Sequence, residues 1–127
     1  METSTPAIAP GRQVVQAYRP GGFTISGVRH AGSVLVFSDR VIPWDVEAPE
    51  ELAAARLQAI AATAPIPDIL VLGLGARFVA VSAELRAAVR AWGPVLEPMA
   101  TPAACRTYNV LLAEERRVAA ALIALPA

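Results

Sequence analysis

The run Asp68-Ile-Leu-Val-Leu-Gly-Leu74 constrains the fold more than any other stretch of the chain. It sets apolar side chains at successive positions, and a strand buries every position only when both of its faces are covered, the condition of inner strands in α/β sheets. The elements around it must therefore supply a layer on each side. The spacings after Val46 suit that demand, because they alternate helical and extended patterns over distances too long for hairpins.

Three helices are expected. Pro49 suits a first helical position and Glu50 and Glu51 favour the positive end of a helix dipole, with Ala53, Leu57 and Ile60 forming the apolar stripe of a first helix that runs to about Thr63. Ser82 caps the second, whose Leu85, Ala88, Val89 and Trp92 fall at i, i+3, i+4 and i+7 and whose stop is Gly93. Thr101 reads as the N-cap of the third and Pro102 as its first residue, with Ala104, Cys105, Tyr108, Leu111 and Leu112 on the buried face and an end near Glu115. Between and after them, Val95 to Met99 and the apolar Val118 to Leu125 read as strands that share a partly parallel sheet with 68–74. Upstream, Phe23 to Val28, Val34 to Phe37 and Val41 to Trp44 alternate between short turns, which implies an antiparallel meander extending that sheet. The class is α/β with a mixed sheet, an N-terminal meander and three helices. Residues 1–16, rich in Pro, Thr, Ser and Gly, are expected to form a loose arm before a single domain at 17–127.

At 127 residues, such a domain buries enough surface for a self-sufficient core. Cys105 is the single cysteine and His30 the single histidine, so the chain can form no internal disulfide and cannot supply the four ligands of a zinc site. The expected address is the cytoplasm, because Met1-Glu-Thr-Ser-Thr-Pro6 has neither the basic nor the apolar region of a signal peptide, and the longest apolar run is too short to span a bilayer. Net charge is zero and the 11 basic residues, all arginines, are spread along the chain, which argues against a nucleic-acid footprint.

Within the third helix, Arg106, Thr107 and Asn109 sit where packing and propensity alone would favour Ala, Leu or Glu. The expectation for them is a network in which Thr107 and Asn109 satisfy the backbone of the Gly73–Arg77 loop and Arg106 pairs with Glu50, Asp45 or Glu114. Cys105 lies in the first turns, where the helix dipole and Arg106 favour a thiolate, although its place on the apolar stripe favours a core role. Gly73-x-Gly75 after an apolar strand invites a phosphate-binding reading, but no third glycine follows at the required spacing, so a structural turn is the better reading. A groove lined by Gly73, Gly75 and Arg77 beside the start of helix three stays open as a ligand site. Trp44, after Pro43, reads first as a core anchor, with an exposed interface contact as the alternative.

Three segments carry a likeness to a known family: Val41-Ile-Pro-Trp44, Leu70-Val-Leu-Gly-Leu-Gly75, and the pattern Thr101-x-x-Ala-Cys-x-Thr-Tyr-Asn-x-Leu111 followed by paired acids and arginines. In these the chain resembles the DUF498 or Mth938-like family, whose mitochondrial members include a respiratory complex I assembly factor. The resemblance implies a compact three-layer Mth938-like domain without cofactor that acts by binding another protein, a respiratory-complex subunit or a membrane-protein biogenesis factor. Leu74 stands where many relatives have the threonine of Gly-Thr-Gly, and Glu114-Glu115 stands where they usually have Glu-Gly. The alternatives are a small-molecule-binding domain or enzyme using the groove, and a homo-oligomer whose surface serves self-association.

Overall fold

The computed structural model describes residues 8–127, and the first part of the expected loose arm, 1–7, lies outside them. Eight strands and three helices follow in the order β1 (Val15–Arg19), β2 (Gly22–Ile25), β3 (Val28–Ala31), β4 (Val34–Val36), β5 (Val41–Pro43), α1 (Gln58–Ala61), β6 (Ile69–Gly73), α2 (Ala83–Trp92), β7 (Val95–Met99), α3 (Thr101–Ala113) and β8 (Val118–Leu122). The strands form two sheets, β1-β2-β3 and β5-β4-β8-β6-β7. Strand β6 lies between β7 and β8 and runs parallel to both, while β4 meets β8 and β5 antiparallel.

Strand β8 shows why these runs are apolar at every position. Ala119, Ala121 and Ile123 enter one core with Leu57, Ile60, Leu85 and Val89, the layer made by the α1 region and α2. Val118, Ala120 and Leu122 enter the other with Phe23, Ile25, Tyr108 and Leu112, the layer made by α3 and the small sheet. Side chains alternate with a period of two, so a strand clamped between layers needs apolar residues of both parities. The same parity divides Leu70, Leu72 and Leu74 from Val71 in β6.

The expected N-terminal meander divides between the sheets. Strands β1 to β3 form one of their own, and only the β4–β5 hairpin extends the mixed sheet. The divide falls at Gly32, with φ +81°, and buried Ser33, whose hydroxyl accepts the Ala124 N–H at 3.0 Å. The fold also begins before residue 17: β1 starts at Val15, and the Gln13 N–H donates to Ser38 C=O at 2.9 Å.

The first helix is not continuous from Pro49 to Thr63. Two 3₁₀ turns, Pro49–Glu51 and Ala54–Leu57, precede the four-residue α1, and the chain is extended at Leu52 and Ala53. The indole N–H of Trp44 donates to Arg56 C=O at 2.7 Å, and Leu57 and Ile60 still reach the core. Leu57 and Ile60 face inward as their spacing predicts, but Ala53 is exposed and Leu52 and Ala54 pack against the core in its place, because the chain is extended at Leu52 and Ala53 and winds tighter than α on either side. Helix α2 follows its pattern closely, with the Ser82 hydroxyl accepting the Leu85 N–H and Gly93 at φ +134° ending it.

Candidate functional site

Open α/β sheets hold ligands beyond the carboxyl ends of their parallel strands, and in this chain the ends of β6, β7 and β8 are fastened by one residue. Thr101 is the first residue inside α3, with Ala100 at the N-cap, so it is not the cap expected from sequence. Its fully buried hydroxyl accepts the Gly75 N–H at 2.8 Å and donates to Ile123 C=O at 2.7 Å. Its own N–H donates to Gly75 C=O at 2.8 Å, Leu74 N–H to Met99 C=O at 2.8 Å, and Ile123 N–H to Gly73 C=O at 3.0 Å. The turn hydroxyl missing at Leu74 therefore has no vacant role to fill: Leu74 is buried in the core and Thr101 satisfies the loop.

Gly73 explains itself in the same geometry. A Cβ there would stand 2.8 Å from Thr101 Oγ1 and 3.1 Å from Thr101 Cα. The close approach that glycine permits is made by helix three, not by a phosphate. Gly75 adopts φ +96°, a left-handed conformation that turns the chain away from β6.

The polar residues of helix three serve another partner than the one expected. The Asn109 side chain accepts the Val15 N–H at 3.0 Å and donates to Val15 C=O at 2.7 Å, where the β1–β2 pairing shifts register between Val15 and Ala17. The amide thus completes a β-bulge, replacing the ladder partner that the extra residue displaces. Tyr108, fully buried, donates its hydroxyl to Gln13 C=O at 2.8 Å, and burial pushes its ionisation far above the ordinary tyrosine range. Neither residue touches the Gly73–Arg77 loop. Thr107 is half-buried and Arg106 exposed, and among the described residues neither joins a side-chain hydrogen bond or an ion pair; the expected pairing of Arg106 with Glu50, Asp45 or Glu114 does not form.

Cys105 lies in the apolar core beneath α3. Burial pushes its thiol from 9.0 up to about 12, outweighing the charge of Arg106, so the activation expected from dipole and arginine is overcome. Trp44 is likewise a core residue, only 6% exposed, and its indole N–H is already bonded, so the interface expectation for it is corrected.

A groove does border the Gly75–Arg77 turn, with a volume of about 250 Å³, but its other walls are Glu47–Glu50 and Ile123–Pro126 in place of the start of helix three. Sequence reasoning missed the feature above it. Phe78 and Val79 on this loop are 58% and 40% exposed, adjacent in a chain whose other large apolar residues are mostly buried. The signal was present as two consecutive apolar residues after a turn with no helical or strand partner.

Comparison with known proteins places these features in a group. The model of the family described as "Protein of unknown function (DUF498/DUF598)" matches residues 15–123. An uncharacterized protein of Rhodobacter capsulatus is 39% identical over 116 residues, covering 91% of this chain and 88% of its own length. The zebrafish (Danio rerio) NADH dehydrogenase (ubiquinone) 1 alpha subcomplex assembly factor 3 is 35% identical over 114 residues, 90% of this chain and 66% of its own length. The solution structure of a Mth938-like domain from Bordetella pertussis superposes with a TM-score of 0.79 at 29% identity, covering 97% of this chain and 92% of that one.

Proposed function

The chain belongs to the DUF498 family and has the Mth938-like fold, and from that premise we propose that it acts as an assembly-type accessory protein that binds another protein without catalysing a reaction. The partner in this reading is a subunit of a respiratory complex or a membrane-protein biogenesis factor, met in the cytoplasm or at the inner face of the membrane. The names of the vertebrate relatives support it.

The observation that carries the reading is the Phe78–Val79 pair, exposed on a loop whose base is fixed by Thr101. Aromatic side chains presented on a rigid base lose little freedom on binding and dominate interface energies. Two polar residues of helix three, Tyr108 and Asn109, are engaged with the backbone of Gln13 and Val15.

A deletion strain complemented with wild type or with Phe78→Ser/Val79→Ser tests this. The double variant is expected to fold with an unchanged melting temperature and to leave the amount of assembled NADH dehydrogenase as low as in the deletion. Unchanged assembly in the deletion strain itself would sink the respiratory reading.

A further inference from the structure

At the opposite end of the parallel strands from the Thr101 knot lies a second cleft, of about 260 Å³, floored by Phe37 and the start of β8. Four arginines line it against two carboxylates, although the whole chain is neutral. They arrive from three separate segments: Arg12 before β1, Arg40 in the β4–β5 turn, and Arg116 and Arg117 between α3 and β8.

Their pairing is uneven. Arg40 meets Asp39 at 3.1 Å and Arg117 meets Asp68 at 3.4 Å, whereas Arg12 and Arg116 have no carboxylate within 4.0 Å among the described residues. Arg40 is held in place from two more sides, its guanidinium 4.0 Å from the Phe37 ring centroid and its Nη2 donating to Thr63 Oγ1 at 3.1 Å. Phe37 is buried, so this arginine rests on a fixed base. The backbone that delivers Arg116 is also unusual, because Glu115 adopts φ +61°, a conformation in which a side chain is strained. The negative end of helix three points toward this region, where two of its last carbonyls are occupied: Glu115 N–H donates to Leu112 C=O and Arg116 N–H to Leu111 C=O, both at 3.0 Å.

We propose that this cleft binds a phosphate dianion, as a small phosphate ester or a phosphorylated lipid headgroup. Guanidinium forks match phosphate oxygens in pairs, and two without counter-charge beside one pre-oriented by stacking give three donors on one small volume. The site lies away from the Phe78 loop and is independent of the protein-binding reading.

The test titrates the full chain with inorganic phosphate at constant ionic strength, following backbone amide resonances, with chloride as reference. Saturable shifts at Arg40, Arg116 and Arg117 are expected. Affinity should fall about fivefold or more in Arg12→Gln and in Arg116→Gln, and stay unchanged in Arg29→Gln, an exposed control on β3. Sedimentation with phosphatidic acid vesicles then separates the two sources: pelleting that requires Arg12 and Arg116 assigns the dianion to a lipid, and its absence assigns it to a soluble ester. Linear shifts equal to those in chloride, or saturable shifts indifferent to both substitutions, overturn the proposal.

Discussion

Replacing Thr101 by valine preserves volume but removes the one hydroxyl that serves both Gly75 N–H and Ile123 C=O. Stranding two buried backbone groups costs about 2–4 kcal/mol, so urea denaturation should show a loss of that size in Thr101→Val and a much smaller one in Thr101→Ser. Cys105 and Tyr108 make the complementary statement about ionisation. Both are held protonated by burial, Cys105 with a thiol raised from 9.0 to about 12. The unfolded chain therefore releases these protons first as pH rises, and stability is complete below about pH 9 and declines above it, by at most about 1.4 kcal/mol per pH unit for each group. A native chain whose Cys105 reacts with iodoacetamide at pH 8 as fast as the unfolded chain would contradict this. The core places of Cys105 and Tyr108 were legible in the apolar stripe of helix three, whereas the role of Thr101 was not. Thr101 beside Pro102 looks like a cap, because the choice between capping a helix and bonding across to two strands depends on how near the helix lies to Gly73.

Helix three joins the two sheets through Asn109, whose amide occupies both backbone groups of Val15 at the bulge. Asn109→Ala should loosen β1 more than the mixed sheet, with the Val15 amide losing hydrogen-exchange protection while those of β6 keep theirs. The helix ends in a Schellman motif in which Glu115, with φ +61°, occupies the position that glycine fills most easily. Glu115→Gly is expected to raise stability by up to about 1 kcal/mol, the relief of left-handed strain exceeding glycine's greater unfolded freedom; a destabilised variant would show that the Glu115 side chain contributes contacts of its own. At this scale the sequence was informative wherever one period dominated. Strands β6 and β8 and helix α2 were legible from apolar spacing and caps, while the 49–63 segment carried an inward-facing stripe common to α and 3₁₀ winding, and so was assigned one helix where three short turns stand. The partner of Asn109 was hidden for another reason: it lies 94 residues away, on a strand whose own position depends on the bulge.

The molecule as a whole separates fastening from presentation. The carboxyl ends of two of the parallel strands, the usual ligand position, are fastened to each other by a side chain of the protein itself, and the loop that leaves them displays Phe78 and Val79. The family, the layered α/β architecture and the sheet's parallel centre were legible in the motif of helix three and the two-sided strands. The exposed pair and the arginine cleft were not, because exposure and convergence arise only when distant segments meet. Placing a photo-cross-linking phenylalanine analogue at position 78 in cells, with position 87 on the exposed face of α2 as control, measures the central claim directly. The account predicts a discrete protein adduct from position 78 alone, retained in a Cys105→Ala background. Equal adducts from both positions, or an adduct that disappears with Cys105→Ala in a fully folded chain, would contradict it.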